Sequence, residues 1–377
     1  MGMNKVCTLC QGKLKDHLLL KNMPVSAQGF RETQKEAFEA SGNMKIFECS
    51  FCGLSQYIGP KVPYYQEVIR STRLSVPMLE YRTKQFQDIV SLYGIDNVFE
   101  LGAGSGEYLD VFKSIGVRTF GIEGASKLAK KARDVKHHVF DGFLPGTDLS
   151  VHLEPNYFDL VTSFNFVEHL PDPIASLRCL NNFLKPGGLA LLEVPNFDMI
   201  SEFGLFNEFI PDHRLYFTEH TFRLLLSLSG FEVLKVETSW GDYILSALAT
   251  KRPLARWDVY YQSQDALHKA VVSFFDGSHK KNNAVWSAGH QSLATISSLN
   301  LAGLISCMID SSPDKQNTFA PGSGLPICAP DVLLKGDINR ILLAAAGFNP
   351  EIARIIRAKY GDEMKIGFLD KGTVKSG

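Results

Sequence analysis

The sequence predicts an α/β fold built on a central doubly wound parallel sheet, with a small domain before it and a second, smaller α/β domain after it. The first observation is a buried strand at 97–101 that runs into a glycine-rich turn and a helix. The second is the alternation of strand and helix patterns that continues from there, as a parallel sheet requires. The third is a shorter alternation of the same kind in the last third of the chain. We expect domains at 1–74, 75–250 and 251–377.

Composition limits the classes of function that the chain can have. Its 377 residues include 39 basic and 40 acidic side chains, so the formal net charge is −1. Nucleic-acid-binding proteins usually carry a basic excess, and we therefore expect no nucleic-acid partner. No apolar run is long enough to cross a membrane, and no apolar signal region follows the first residues. We expect a cytoplasmic protein without a membrane partner; composition does not address its oligomeric state.

Two Cys-x-x-Cys pairs lie in the N-terminal region, Cys7 with Cys10 and Cys49 with Cys52. In a reducing compartment such pairs are better explained as metal ligands than as disulfides. Four thiolates suffice for tetrahedral Zn²⁺, and the stretch 11–48 between the pairs predicts a small inserted subdomain. A zinc ribbon could bind RNA or a substrate. Because its flanks are not basic, we expect the metal only to stabilise a domain that lacks a core of its own.

The segment after the second cysteine pair predicts a linker and then a helix. Tyr64 and Tyr65 could close a pocket the size of a sugar, or merely pack the linker onto the next domain. An amphipathic helix is predicted at 75–93, ending at Gly94. Its predicted apolar face consists of Leu79, Phe86, Ile89, Val90 and Tyr93. We expect this helix to precede the central sheet and to cover the ligand site.

The glycine-rich turn carries the most specific signal. Gly102, Gly104 and Gly106 permit positive φ angles and let the backbone approach a ligand closely. Glu100 ends the first strand, where a carboxylate could reach a cationic ligand or fix the loop. Glu123, about twenty residues later, ends the next strand, where a carboxylate can hold a ribose diol. Dinucleotide-binding folds use a similar turn, but an acid at position 100 would repel a pyrophosphate.

Two further polar residues stand at strand ends of the predicted sheet. Asp141 follows a short strand at 136–140 and is well placed to accept a hydrogen bond from an adenine amino group. Asn165 follows the strand at 158–164 and belongs with the candidate cofactor-binding residues. Ligands of doubly wound sheets bind outside the carboxyl ends of the strands, so we expect these side chains to lie at one site.

Glu-x-Gly-x-Gly-x-Gly at 100–106, followed by Glu123 and by Pro-Gly-Gly at 186–188 before a strand, resembles the class I S-adenosylmethionine methyltransferases. The resemblance implies the class I methyltransferase Rossmann-like sheet and S-adenosylmethionine (SAM) as the cofactor. SAM carries a sulfonium cation and no phosphate, so acidic residues are tolerated around it.

The domain order extends the resemblance to nearly the whole chain. A four-cysteine site, a central SAM domain and a C-terminal α/β unit occur together, and the last contains Asp-Ser-Ser-Pro-Asp-Lys-Gln at 310–316 and Pro-Gly-Ser-Gly at 321–324. This architecture resembles the nucleotide-sugar C-methyltransferases. The resemblance implies a small-molecule partner, a nucleotide-linked 4-ketosugar, bound with the help of the C-terminal domain. A histidine would remove the proton next to the ketone, and the enolate would attack the SAM methyl group.

The resemblance also implies roles for residues of the acceptor site. The matching residues are His213 as the base, Asp212 as its acidic neighbour, His169 as a second pocket histidine, and Tyr64 or Tyr65 as the pocket tyrosine. This chain departs from the family where Ile210 replaces a usual tyrosine and Asp212 a usual glutamate, and the C-terminal loop at 286–292 lacks a typical lysine. Without the resemblance, His213 would be interpreted as a loop residue that anchors a turn before a helix capped by Thr218.

Other functions fit the same pattern. An O- or N-methyltransferase of another natural-product or surface-glycan intermediate would look much the same. A zinc-bearing RNA methyltransferase is disfavoured by the neutral charge. A non-catalytic binding protein of this fold is disfavoured by the intact glycine turn and its flanking acids.

Overall fold

The computed structural model describes residues 6–27, 29–60, 62 and 74–376, and the elements given below are those of these residues. The chain divides into two compact units, Met1–Pro253 and Leu254–Gly377. Among the described residues, no helix combines the length and the apolar character needed to cross a membrane.

A four-stranded sheet begins in the N-terminal region. Its first elements are β1 (Leu14–Pro24), α1 (Gln34–Glu39), β2 (Ser41–Cys49) and β3 (Ser55–Tyr57). Strands β1 and β2 pair antiparallel, and β3 continues the sheet beside β2. The stretch between the two cysteine pairs is therefore a long hairpin. Thr33 and Glu36 form a capping box that starts α1 within its connection.

The next segment contains the central sheet of the first unit. Its elements are α2 (Val76–Tyr93), β4 (Asn97–Leu101), α3 (Glu107–Ser114), β5 (Arg118–Glu123), α4 (Ser126–Asp134), β6 (His138–Asp141), β7 (Phe158–Phe164), α5 (Pro173–Phe183), β8 (Leu184–Pro195), α6 (Phe197–Glu202), β9 (Leu215–Tyr216), α7 (Glu219–Leu228), β10 (Phe231–Ser239) and β11 (Ile244–Lys251). We call the sheet of order β10-β11-β8-β7-β4-β5-β6 the central sheet. Strands β4 to β8 are parallel and β11 is antiparallel to β8, which confirms the predicted doubly wound sheet.

Helix α2 has the predicted bounds because both of its ends are capped. The Ser75 hydroxyl accepts a hydrogen bond from the Met78 amide at 3.4 Å, and Gly94 adopts a left-handed conformation with φ of 67°. The inward face centres on Arg82 and Phe86, which are fully buried. The predicted apolar face was wrong at its margins, because Leu79 and Tyr93 are 43% and 44% exposed. A buried arginine, which no apolar pattern reveals, occupies part of that face.

The segment between β8 and α7, which carries His213, contains short regular elements. It contains α6 and the two-residue strand β9, and β9 pairs with β3 of the N-terminal sheet. The order of that sheet is therefore β1-β2-β3-β9. A strand of two residues has no detectable alternation, and its partner is distant in sequence. The loop that carries the candidate base is thus fixed to the four-cysteine region.

The second unit contains another mixed sheet. Its elements are α8 (Asp258–Phe275), β12 (Asn283–Trp286), α9 (His290–Ser298), β13 (Cys307–Ile309), β14 (Thr318–Phe319), β15 (Pro326–Cys328), β16 (Arg340–Leu343), α10 (Asn349–Tyr360), β17 (Lys365–Asp370) and β18 (Thr373–Ser376). We call the sheet of order β14-β15-β13-β12-β16-β17-β18 the C-terminal sheet. Separate apolar clusters on its two faces, one including Val285 and Leu342 and the other Trp286 and Ile341, form its core.

Candidate active site

The glycine turn after β4 has the backbone conformation that the sequence predicted. Gly102, Gly104 and Gly106 have φ angles of 78°, 56° and 93°, in the region that favours glycine. A Cβ atom on Gly102 would lie 2.5 Å from the Phe166 ring, so that position also lacks room for a side chain. The turn is therefore closed on one side by protein.

The His137 ring packs against the glycine turn at Gly106. A Cβ atom on Gly106 would lie 2.7 Å from the His137 ring. The buried imidazole is held by Thr119 Oγ at 2.7 Å from Nδ1 and by Asp110 Oδ1 at 2.9 Å from Nε2. Burial lowers the pKa of His137, although Asp110 opposes the shift. The sequence analysis did not select His137, because no sequence pattern predicts a contact between residues 137 and 106.

The two acids near the turn are both buried. Glu123, at the end of β5, accepts hydrogen bonds from the Gly104 amide at Oε2 and the Ala125 amide at Oε1, each at 2.8 Å. Its carboxylate therefore shapes the turn itself, and the ribose contact stays a prediction. Glu100 is fully buried at the end of β4.

The other predicted cofactor-binding residues lie at neighbouring strand ends. Asp141 pairs with Glu123 in the β5–β6 register, but its exposed carboxylate also accepts a hydrogen bond from Arg133 Nη2 at 3.1 Å. Asn165 follows β7 with φ of 47°, and its amide donates to the Glu193 carbonyl at 3.0 Å. The order β7-β4-β5-β6 thus brings the ends of these strands to one edge of the sheet, as expected.

A second cluster joins the segment after β7 to the segment before β9. The rings of His169 and His213 are 4.8 Å apart and edge-to-face. Glu168 completes the group, since one ligand-type atom from each of the three side chains lies within 4.8 Å of the others. The structure therefore brings together the two histidines that the sequence selected and adds a buried acid between them.

Asp212 orients the histidine pair mainly through its backbone. Its carbonyl accepts a hydrogen bond from His169 Nδ1 at 2.9 Å, which leaves His169 Nε2 as the nitrogen with the free lone pair. Its carboxylate accepts from the Ala27 amide at 2.9 Å. Within the described residues, the Asp212 carboxylate makes no hydrogen bond to His213. The expected acid–base partnership of 212 and 213 is thus not present as a direct contact.

The electrostatics of the cluster come from burial. Burial lowers the pKa of His213 to about 3, and the nearby His169 adds to the shift. Burial likewise lowers the pKa of His169, against the opposing effect of Asp212. The Glu168 side chain is 1% exposed, and burial raises its pKa to about 8. At neutral pH both imidazoles are therefore neutral and Glu168 is largely protonated.

Glu168 was missed by the sequence analysis although it precedes His169 directly. Its Oε1 lies 3.8 Å from His169 Nε2, and among the described residues its Oε2 has no hydrogen-bond partner. An acid directly before a candidate pocket histidine, shortly after β7, was a usable signal. Its burial was not readable from the sequence.

A buried ion pair joins α2 to β8 of the central sheet. Arg82 of α2 and Glu193 of β8 are both fully buried and form a bidentate pair, with Arg82 Nη1 at 2.6 Å from Glu193 Oε1. Ser246 donates to the same carboxylate at 2.9 Å. Removing one partner of such a pair typically costs about 3–5 kcal/mol, because the other charge stays buried. The pair fixes α2 to β8, whose Glu193 carbonyl accepts a hydrogen bond from the Asn165 backbone amide. No sequence pattern predicts this pair.

The four N-terminal cysteines converge, and all are free thiols. Their sulfur atoms lie within 4.8 Å of one another, with 3.5 Å between Cys7 and Cys52 and 3.4 Å between Cys10 and Cys49. Tetrahedral Zn²⁺ with Zn–S bonds of about 2.3 Å needs S–S separations of about 3.8 Å. The Leu9 amide donates to the Cys7 sulfur at 3.4 Å. The donor set fits a thiolate-bound metal.

Tyr64 and Tyr65, the predicted pocket tyrosines, lie outside the described residues. Their role as acceptor-site residues stays a prediction.

Comparison with known families assigns both units. Residues 71–236 match the model of a methyltransferase domain, and residues 249–365 match the model of the C-methyltransferase C-terminal domain. The two matches fall on the central sheet and on the C-terminal unit respectively.

Individual relatives match shorter stretches. The chain is 32% identical over 103 residues to a ubiquinone biosynthesis O-methyltransferase of Xanthomonas campestris, which covers 26% of this chain and 43% of that protein. It is 27% identical over 145 residues to the C-methyltransferase NovU of Streptomyces niveus, covering 38% of this chain and 34% of that protein. The chain therefore spans less than half the length of these curated relatives.

Among solved structures, a SAM-dependent methyltransferase from Archaeoglobus fulgidus aligns with a TM-score of 0.37 at 18% identity, covering 46% of this chain and 94% of that chain. From the two family matches, together with the glycine turn and the strand order, we conclude that the chain belongs to the class I SAM-dependent methyltransferases and carries the C-terminal domain of the C-methyltransferases.

Proposed function

We propose that this chain transfers a methyl group from SAM to a carbon atom of a nucleotide-linked keto-deoxysugar. The observation that carries the proposal is the C-methyltransferase C-terminal domain at 249–365, next to a methyltransferase domain. The partial similarity to a C-methyltransferase of Streptomyces niveus supports the same class of reaction. We assign residues 75–250 to SAM binding and 251–377 to substrate binding.

The cofactor would lie at the strand ends around the glycine turn. Bound SAM supplies an electrophilic methyl group on a sulfonium centre. Glu123 holds the Gly104 amide and so keeps the turn open for close backbone approach. We assign the ribose contact to Glu123, the adenine amino group to Asp141, and further cofactor contacts to Glu100 and Asn165.

His213 is proposed as the base. Its burial keeps the imidazole neutral near pH 7, so a lone pair is available to take the proton from the carbon beside the ketone. The imidazolium that results would be unfavourable in a buried site. The negative charge that develops on the acceptor oxygen offsets it, because an adjacent anion raises the pKa of a histidine.

His169 and Glu168 support this step. His169 is fixed by the Asp212 carbonyl, with Nε2 facing Glu168. Because Glu168 holds its proton at neutral pH, it adds no negative charge that would compete with the developing enolate. The arrangement therefore favours proton removal by a neutral base, and Glu168 contributes no additional negative charge.

Identification of the product tests the function. The full chain would be incubated with labelled SAM and a panel of nucleotide-linked 4-ketosugars, and products analysed by mass spectrometry. We expect label in one ketosugar, on carbon. With S-adenosylhomocysteine in place of SAM, solvent deuterium should enter the same carbon of the unmethylated ketosugar. Methylation only of hydroxyl or amino groups would contradict C-methylation.

O- or N-methylation of another small molecule is the second candidate. The 103-residue match to a ubiquinone biosynthesis O-methyltransferase favours it. Phenolic and amine acceptors in the same panel would identify this activity, and no deuterium exchange would accompany it.

We further propose that Cys7, Cys10, Cys49 and Cys52 hold one Zn²⁺ with a structural role, in a domain at 1–74. The convergence of four free sulfurs supports this assignment. Metal analysis of the purified chain should give about one zinc per chain, and Cys49→Ser should lower the metal content and the unfolding temperature. A fully folded, metal-free protein would contradict the proposal.

A further inference from the structure

Arg214 directly follows the proposed base and is held firmly by its backbone. Its amide donates a hydrogen bond to the Glu168 carbonyl at 2.9 Å, and its carbonyl accepts one from the Tyr57 amide at 2.9 Å. These bonds fix Arg214 between the segment of the histidine cluster and strand β3. The backbone from which the Arg214 side chain extends is therefore fixed to both segments.

Among the described residues, the guanidinium of Arg214 has no acidic partner. Throughout the described residues, no carboxylate forms an ion pair with it, and its only hydrogen bond runs from Nη1 to the Gly59 carbonyl at a long 3.4 Å. Burial lowers the pKa of Arg214, and the nearby Tyr57 opposes the shift. The buried Arg82, in contrast, is matched by Glu193. A partly buried cation without a counter-ion is costly unless a ligand supplies the negative charge.

Tyr57 adds a second donor at the same place. Its hydroxyl lies so close to Gly59 that any side chain at position 59 would collide with it. The phenol and the Arg214 guanidinium therefore both lie next to Gly59. Burial raises the pKa of Tyr57, although the charge of Arg214 works against that shift. At neutral pH the phenol thus keeps its proton and can donate it to an anion.

We propose that Arg214 and Tyr57 form an anion subsite that binds a phosphate group of the methyl acceptor. The identity of that acceptor as a nucleotide-linked molecule rests on the proposed function. A guanidinium presents parallel N–H donors that match the oxygens of a phosphate, and a phenol adds one further donor. Because Arg214 is the neighbour of His213, the subsite would hold the phosphate end of the molecule whose carbon His213 deprotonates.

Titration with inorganic pyrophosphate tests the subsite without knowledge of the acceptor. The full chain is first saturated with S-adenosylhomocysteine, so that the carboxylate of the cofactor product is already bound. Calorimetry then measures pyrophosphate affinity for the wild type and for Arg214→Gln, Arg214→Lys and Tyr57→Phe. Arg223→Gln is the matched control, because Arg223 is an exposed arginine paired with Glu219.

We expect Arg214→Gln to weaken pyrophosphate binding about 10- to 100-fold, as for loss of a charge-assisted hydrogen-bonding pair. Arg214→Lys should retain part of the affinity, because lysine keeps the positive charge but lacks the two parallel N–H donors of the guanidinium. Tyr57→Phe should weaken pyrophosphate binding several-fold. Arg223→Gln should match the wild type, and every variant should bind S-adenosylhomocysteine normally. Normal binding also shows that each variant is folded.

Three results would overturn the inference. One is pyrophosphate affinity that is absent in the wild type or unchanged in Arg214→Gln. Another is equal or tighter binding of malonate, which would make the subsite one for carboxylates. The third is a loss of S-adenosylhomocysteine affinity in Arg214→Gln with preserved unfolding temperature, which would assign Arg214 to the cofactor.

The outcome is distinguishable from failure of the proposed function. Methyl transfer to a nucleotide-linked ketosugar with the same KM in wild type and Arg214→Gln would reject the subsite and keep the function. Arg214-dependent pyrophosphate binding with no transfer to any ketosugar would keep the subsite and reject the proposed acceptor.

Discussion

The sheets of the two units repeat one arrangement and differ where a ligand would bind. The central sheet has the order β6-β5-β4-β7-β8 with β11 antiparallel beside β8. The C-terminal sheet has the order β15-β13-β12-β16-β17 with β18 antiparallel beside β17. In both, the first strand in sequence lies at the centre and the connection direction reverses beside it, which is where doubly wound sheets bind ligands.

Both units also hold the first loop with an acid from the second strand. Glu123 accepts the Gly104 amide after β4 at 2.8 Å, and Asp310 accepts the Ala288 amide after β12 at 2.9 Å. In the C-terminal unit, Lys315 also forms an ion pair with Asp310 at 3.0 Å. The acid that holds the β12 loop is therefore bound to a lysine of the same unit.

The loops themselves differ in backbone. Gly102, Gly104 and Gly106 all have positive φ, whereas Gly289 after β12 has φ of −98°. Groups of three or more acid, histidine or cysteine ligands within the described residues occur only in the first unit. The two units therefore share a strand arrangement but differ in loop conformation and in the side chains that a ligand site depends on.

The largest expected effect is on the rate of methyl transfer, and we expect it for a histidine of the first unit and not for one of the second. His213→Asn should reduce methyl transfer about 10²- to 10⁴-fold, the usual contribution of a general base, while SAM affinity stays unchanged. His268→Asn, on the exposed side of α8 in the second unit, is the matched control and should leave the rate unchanged. Single-turnover assays with labelled SAM measure both. Substantial turnover in His213→Asn with exchange intact would move the base to His169 or to Tyr64 or Tyr65.

A smaller effect is expected on the unfolding free energy, and it should differ between the loop after β4 and the loop after β12. Gly106→Ala forces a side chain into a positive φ and against His137, and should cost about 1–3 kcal/mol of unfolding free energy. Gly289→Ala meets only the Ser287 hydroxyl at 3.2 Å with ordinary φ, and should cost less than about 1 kcal/mol. Denaturant unfolding measures both variants. Equal costs would show that the first loop is not specially constrained.

The smallest effect is a pH dependence of opposite sign for two carboxyl groups. Burial raises the pKa of Glu168 to about 8, so its native form binds more protons than its unfolded form, and its contribution to stability is lost as pH rises from about 4.5 through 8. For Asp310, burial opposes but hydrogen bonds from Ser312 and Lys315 prevail, and its pKa is lowered. Its contribution is present above its unfolded pKa and is lost as pH falls.

Glu168→Gln should therefore flatten the loss of unfolding free energy on the alkaline side, and Asp310→Asn the loss on the acid side. Unfolding curves from about pH 2 to 9 measure both slopes, because the loss for Asp310 occurs below its unfolded pKa. An alkaline slope that persists in Glu168→Gln would mean that Glu168 is ionised in the native protein.

The elements that could be predicted from sequence are those set by local pattern. The bounds of α2 followed from Ser75 and Gly94, and the glycine turn followed from three glycines between a strand and a helix. The His169–His213 pairing came from resemblance, since the two residues lie on separate segments. What escaped prediction depends on burial and long-range pairing.

Three features illustrate that limit. The Arg82–Glu193 pair joins a helix to a strand through two charges that any apolar pattern treats as exposed. Strand β9 is too short to show alternation and pairs with a distant partner. The contact of Asp212 with Ala27, in place of one with His213, depends on the hairpin between the cysteine pairs.

SAM titration tests most directly whether the cofactor binds at the central sheet and not at the C-terminal sheet. Calorimetry of the full chain should give one SAM per chain. Glu123→Gln should weaken binding about tenfold or more, as for loss of a charged hydrogen-bonding partner, and Asp310→Asn should bind as the wild type does. Two SAM per chain, or affinity that falls with Asp310→Asn and not with Glu123→Gln, would contradict the account.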